Sequence, residues 1–265
     1  MVREISNRLR ENDEMAVEDL RMRASELARA YQKLAEQDLA RREFLTNVAH
    51  ELRTPLMAAS GFLLLMQKGV ITPDNMASAV ETVARNIQQI TTLVNDIMFL
   101  QEMDLILPKF QAVDMLAIAQ NVTDRYRDKA AANLLTIQVN AAPNLPNVSG
   151  DAKSLERALT ALVDTAIKFS PDGGSVEINL REQGNEVFVD VVDQGIGIEA
   201  SRIPRVFDRF YHLENSGENL FSGIGLGLSI TNQVIKQHNG ELSVKSELGK
   251  GSTFTVRLKA IKVVL

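Results

Sequence analysis

The sequence predicts an α+β protein: an N-terminal coiled-coil helix and a hairpin of two helices that dimerises as a four-helix bundle, followed by an α/β sandwich. Three observations carry this reading. Of fifteen glycines only Gly61 and Gly69 precede residue 108, so the first part is poor in turns. Core-type residues there recur at alternating steps of four and three. Beyond Leu107-Pro108, short segments of alternating apolar and polar residues take over.

In the helical part Leu20, Ala24, Leu27, Tyr31 and Leu34 keep a heptad register that resumes at Leu45, Val48 and Leu52 after polar Asp38 and Arg41. Sustained heptads of this kind specify a coiled coil. The pattern breaks at Gly69-Val-Ile-Thr-Pro73, where Thr72 suits an N-cap and Pro73 the first helical position. Met76, Val80, Val83, Ile87, Ile90, Val94 and Ile97 then line one face of a second helix. Two helices alone leave both stripes wet. Pairing two hairpins would bury them; the alternative is a monomer whose second domain covers the stripe. The expected domains are a coiled-coil helix at 1–38, a hairpin at 39–107 and an α/β domain at 112–265.

In the third domain, residues 114–132 read as a helix and Leu135 to Val139 as a strand. Asp151 is placed to cap a helix running to about Phe169, ended by Ser170-Pro171-Asp172-Gly173-Gly174. Val176, Ile178 and Leu180 alternate with polar residues, as do Val187, Val189 and Val191, with a turn at Gly184-Asn185. These predict strands of an antiparallel meander. Residues 199–222 are polar and weakly periodic and predict a mobile loop. A helix is expected from Ser222 to Gln237. Glu241 to Lys245 and Ser252 to Leu258 predict a hairpin around Gly249-Lys-Gly251.

Composition narrows the function. A net charge of −5 and a pI near 5.4 argue against nucleic-acid binding, which needs a basic face. With no cysteine, disulfides and thiolate metal sites are excluded. No apolar run approaches the roughly 18 residues that span a membrane, and the charged opening residues do not read as a signal peptide. A soluble piece is expected.

Three constellations can carry chemistry. In the register that puts Leu45, Val48 and Leu52 in the seam, His50 falls on the opposite, exposed face. Glu51 is its neighbour, and Pro55 follows five residues on, where a proline within a helix costs about 3 kcal/mol. A nucleophilic imidazole must be neutral on the attacking nitrogen, and an adjacent carboxylate can take the proton from the other. Second, Asp193-Gln-Gly195-Ile-Gly197 follows an apolar strand. A carboxylate there can accept from an exocyclic amine, and glycines let the backbone approach a flat ligand. Alone, this pattern is equally a turn. Third, Gly223-Ile-Gly225-Leu226-Gly227 opens the last helix, where exposed N–H groups and the helix dipole suit a polyphosphate.

Taken in order, these segments resemble the sensor histidine kinases of two-component systems. Phe44-Leu-Thr-Asn-Val-Ala-His50-Glu-Leu-Arg-Thr-Pro55-Leu resembles that family's phospho-acceptor box. Asp193 to Gly197 resembles its first glycine box, Phe207-Asp-Arg-Phe210-Tyr211 its aromatic box and Gly223 to Ile230 its second glycine box. The resemblance implies a dimerisation hairpin and a Bergerat-type ATP-binding domain, with ATP and Mg²⁺ as cofactors. It implies His50 as phospho-acceptor, Glu51 as acid/base partner and Thr54 as a positioner of water in a phosphatase reaction. Asp193 would read the adenine amine. Gly195, Gly197, Gly223, Gly225, Leu226 and Gly227 would shape pocket and lid. Lys168 would approach the phosphates, and Phe169 replaces the usual tyrosine. Partners implied are a second copy and a response-regulator receiver domain, in the cytoplasm, within a parent that can carry a sensor or membrane region.

One box departs from the family. Ala161-Leu-Val-Asp-Thr165-Ala-Ile-Lys168-Phe169 has Thr165 where a magnesium-binding asparagine is expected and Ala161 in place of an upstream asparagine. A hydroxyl is a poorer hard-cation ligand than an amide carbonyl. Slow ATP turnover is therefore expected, and the alternative is a degenerate nucleotide-binding scaffold or a phosphatase-biased homologue.

Overall fold

The computed structural model describes residues 2–105, 109–211 and 225–261, with side chains at 15, 18–103 and in the two later stretches. The chain divides into two compact units, Met1–Thr54 and Pro55–Leu265. Helix α1 spans Val2–Gln67 and helix α2 spans Pro73–Leu105. Pro55 lies inside α1, which continues through it to Gln67. Between the helices Gly69 adopts φ +66°, and the Val70 N–H reaches back to the Leu65 carbonyl at 3.0 Å. A left-handed residue there ends the helix and satisfies terminal carbonyls. Pro73 opens α2, as its fixed φ favours.

Both helices leave part of their apolar stripe in water, although Val83, Leu93 and Leu100 of α2 are buried. Leu20, Leu27, Tyr31 and Leu34 on α1 are each more than half exposed, as are Val80, Ile87 and Met98 on α2.

The rest of the second unit is built on a five-stranded sheet. Its elements are β1 (Gln111–Val113), α3 (Met115–Ala132), β2 (Leu135–Ala141), β3 (Val148–Gly150), α4 (Ala152–Lys168), β4 (Gly174–Gln183) and β5 (Glu186–Asp193). Then come a 3₁₀ turn (Ile203–Arg205), α5 (Gly227–Gln237), β6 (Glu241–Glu247) and β7 (Gly251–Lys259). The sheet order is β2-β4-β5-β7-β6. Val176, Ile178 and Leu180 alternate inward from β4, Val187, Val189 and Val191 from β5, and Phe254, Val256 and Leu258 from β7; all are buried. Leu155, Leu159, Leu162, Val163 and Ile167 of α4 and Ile230, Val234 and Ile235 of α5 are buried as well. Each such side chain contributes roughly 1.5–3 kcal/mol on leaving water.

β4 pairs antiparallel with β5 and β6 with β7, as expected, but the sheet is more than a meander. β2 pairs parallel with β4, and β5 pairs with β7 rather than β6. Parallel neighbours need a crossover, and α4 supplies it. A separate two-stranded ladder, β1 with β3, had no sequence signal. The last helix begins at Gly227, not Ser222: Gly225 and Leu226 are non-helical, and 222–224 lie outside the described residues. Of the segment expected as a mobile loop, 199–222, residues 212–222 lie outside the described residues, and the part from 199 contains the 3₁₀ turn, followed by buried Val206.

Two tethers place the helices around the site. Asp151 caps α4, its carboxylate accepting from the Ser154 N–H at 2.9 Å. The Asp151 N–H donates to Nε2 of His238 at 2.9 Å, and His238 Nδ1 lies 2.7 Å from the Val234 carbonyl. Burial pushes the imidazole pKa down, which favours this neutral donor–acceptor form. On the other side, Arg157 of α4 bonds Asp96 at 2.7 Å and the Asn95 carbonyl at 3.0 Å on α2, and lies 4.1 Å from the Phe99 ring.

Candidate active site: a buried aspartate beside two glycine boxes

Asp193 ends β5 and is only 4% exposed. Burial pushes its carboxyl pKa up to about 6, against the backbone donors that favour the ionised form. Oδ1 accepts the N–H of Gly195 at 2.9 Å and that of Ser252 at 3.1 Å. With Oδ1 held by two donors, Oδ2 is the oxygen available to a ligand amine. The Ser252 contact was missed from sequence, where Gly249-Lys-Gly251 read only as a turn. In the fold this hairpin walls the site, and a Cβ on Gly251 would lie 2.0 Å from the Asp193 carbonyl.

The glycines after Asp193 make room for the protein's own backbone. A Cβ on Gly195 would stand 2.0 Å from the Phe169 carbonyl oxygen, and one on Gly197 2.0 Å from that of Glu247. The space a side chain would take is filled by the protein's own backbone. The Ile196 N–H donates to the Phe169 carbonyl at 2.9 Å, and the Gly249 N–H to the Ile196 carbonyl at 2.7 Å. The loop is thus clamped between the end of α4 and the β6–β7 hairpin, which fixes Asp193 before a ligand arrives.

Helix α4 also meets the second glycine box. Gly227 opens α5 with its Cβ position 3.5 Å from the Ala161 methyl, an ordinary contact that a larger residue at 161 would disturb. Leu226 is fully buried. The Phe210 N–H donates to the Gly225 carbonyl at 2.9 Å, so the aromatic box is joined to the glycine box. Both residues have positive φ, +59° and +68°. Gly223 lies outside the described residues.

On α4 itself, the Thr165 hydroxyl donates to the Ala161 carbonyl at 2.7 Å. Exposed Lys168 bonds Asp164 at 2.6 Å, and Lys129 of α3 bonds the other oxygen of that carboxylate. Burial raises the Asp164 pKa, but the two lysines outweigh it and hold the carboxyl below its usual range. Phe169 caps α4 and is half-buried.

This donor set does not fit a protein-held Mg²⁺. The hydroxyl at 165 is engaged with its own helix, and the only nearby carboxylate on α4 is taken by two lysines. Among the described residues no group of three or more His, Cys, Asp or Glu side chains could hold a metal.

In the first unit His50 is exposed on α1, and the Thr54 hydroxyl donates to the His50 carbonyl at 3.3 Å. Glu51 is half-buried. Of the expected residues, Gly195 meets the Phe169 cap of α4, the helix that carries Thr165 and Lys168, and Gly227 after Leu226 meets Ala161; Gly197 meets Glu247 and Gly225 meets Phe210, while His50, Glu51 and Thr54 share two turns of α1.

Two domain families match the chain. Residues 40–105 match the His Kinase A (phospho-acceptor) domain, and residues 150–262 match the histidine kinase-, DNA gyrase B- and HSP90-like ATPase family. The chain is 32% identical over 226 residues to the sensor-like histidine kinase SenX3 of Mycolicibacterium smegmatis, covering 84% of this chain and 59% of that relative's length. Among solved structures, the histidine kinase AdeS of Acinetobacter baumannii has the same fold, with a TM-score of 0.65 at 22% identity over 80% of this chain and 98% of that one. Histidine kinase ThkA, solved in complex with response regulator protein TrrA, gives a TM-score of 0.68 at 19% identity, over 83% of this chain and 61% of that one. With both domains present in this order, the chain belongs to the sensor histidine kinases of two-component systems.

Proposed function

We propose that this chain binds ATP at Asp193 and transfers its γ-phosphoryl group to His50, then to an aspartate of a response-regulator receiver domain. The observation that carries the reading is Asp193 itself: a buried carboxylate with one oxygen locked by two backbone donors and one left for an adenine amine. In the first step the bond from γ-phosphorus to the bridging oxygen breaks, a nitrogen–phosphorus bond forms and ADP leaves. Glu51, adjacent to His50, takes the ring proton. Lys168 meets phosphate charge, and Thr54 positions water when the phosphoryl group is removed from the regulator. Gly195, Gly197, Gly225, Leu226 and Gly227 hold the pocket wall, with Gly223 assigned to the lid.

Mg²⁺ is expected to arrive with the nucleotide, its shell completed by phosphate oxygens and water rather than by Thr165. The working form is a homodimer, because the exposed stripes on α1 and α2 are apolar at heptad spacing. The functional divisions are 1–38, 39–107 and 112–265. The chain spans 59% of SenX3, and a sensor or membrane region is assigned to the parent protein; no described helix is long and apolar enough to cross a membrane. Incubation with radiolabelled ATP tests the reading. Wild type should acquire an acid-labile, base-stable phosphate, and His50→Gln should acquire none while binding ATP normally. Equal incorporation by the mutant sinks the assignment.

A further inference from the structure

One cluster beside the site is not used by this mechanism. Asp164 on α4 holds Lys168 from its own helix, four residues on, and Lys129 from α3. Its side chain is only 21% exposed, while the lysines are 38% and 48% exposed. Lys129 also lies 5.2 Å from the centre of the Tyr126 ring, which keeps its stem along α3. Asp96 of α2 belongs to the same electrostatic neighbourhood: burial pushes its carboxyl up, while Arg157 and Lys168 pull it down. Two carboxylates, Asp96 and Asp164, therefore face three cations, Arg157, Lys129 and Lys168. The surplus is one positive charge next to the pocket.

Lys168 cannot serve a phosphate and Asp164 in full at once. When an ammonium leaves a partly buried carboxylate, the charge left behind is unpaired, and that penalty opposes the move. A second cation already in place removes it. We infer that Lys129 is a positioning residue for nucleotide binding: by occupying Oδ1 of Asp164, it lets Lys168 swing from Oδ2 to the phosphates of ATP. The flexible four-carbon stem of lysine suits such a swing. The contact matters more here because α4 offers no protein-held cation at Thr165. The inference rests on the proposal that ATP binds at Asp193.

The test is calorimetry on the whole chain with ATP and with adenosine. Lys129→Met should weaken ATP about five- to tenfold, discounted for its exposure, and leave adenosine unchanged. Lys129→Arg should bind as wild type. Adding Asp164→Asn to Lys129→Met should restore ATP affinity, since no carboxylate then retains Lys168. Asp164→Asn alone, which keeps the side-chain size, should bind ATP at least as tightly as wild type. Unchanged ATP affinity in Lys129→Met, an equal loss for adenosine, or no recovery in the double variant overturns the role. If Asp193→Asn weakens ATP and Lys129→Met does not, the Lys129 role alone fails. If wild type binds no ATP, both readings fail.

Discussion

The long helices and the sheet domain carry the same kinds of apolar residue, yet much of the helices' stripe lies in water while the sheet's is sealed. On α1, Leu20, Leu27 and Leu34 are 65%, 58% and 61% exposed; on β4, Val176, Ile178 and Leu180 are essentially sealed. A sheet covered by α4 and α5 completes its own core within one chain. A heptad stripe is complete only against a second stripe. Stability of the sheet domain is therefore a property of the chain, whereas in the proposed homodimer stability of the helices would depend on protein concentration.

The largest expected break in this contrast is inside the sheet. Ile178→Ala empties a sealed position and should cost about 2–5 kcal/mol, read as a lower melting temperature that does not change on dilution. The paired change Leu27→Ala and Leu34→Ala removes about 0.8 kcal/mol per lost buried methylene in the dimer. It should lower dimer affinity at least tenfold by sedimentation while leaving the sheet-domain melt in place. A monomeric wild type at micromolar concentration would contradict the contrast outright.

A smaller effect separates binding from folding at one residue. Asp193→Asn removes a charged acceptor, a contribution of about 1.5–3 kcal/mol, so ATP affinity should fall roughly ten- to a hundredfold by calorimetry. The pH dependence has a defined sign. The carboxyl titrates at about 6 in the folded chain against 3.8 for an unperturbed aspartate. The folded state thus holds this proton more tightly, so the group favours folding below pH 3.8, and that advantage is lost as pH rises through 6. Binding runs the other way, because the ionised form is the better acceptor. ATP affinity should fall between pH 7 and 5 in wild type and lose that step in Asp193→Asn. The smallest expected change is at Thr165. Thr165→Asn supplies an amide carbonyl and should raise the rate of His50 phosphorylation a fewfold at low Mg²⁺. An unchanged rate would show the threonine to be neutral.

Much of this architecture was legible because its causes are local. Asp151 was read as a cap and is one, since a cap needs only its own carboxylate and the N–H groups two or three residues on. Asp114, read as the first helical residue, is likewise the cap of α3. Asp193 could be read as an acceptor from its place after an alternating apolar strand. What completes it could not: the Ser252 N–H comes from 59 residues away, on a strand whose pairing with β5 skips β6.

Periodicity, caps and turn residues act over one to four residues, so the sequence by itself determined the helices, most strands, the heptad stripe and the exposed face of His50. Tertiary structure alone decided the parallel pairing of β2 with β4, which requires α4 to cross over the sheet. It also decided that Gly195 and Gly197 admit backbone from Phe169 and Glu247, and that Lys129 reaches Asp164 across 35 residues. Such contacts depend on which distant segments the closed core brings within bonding distance, and no local pattern encodes that choice.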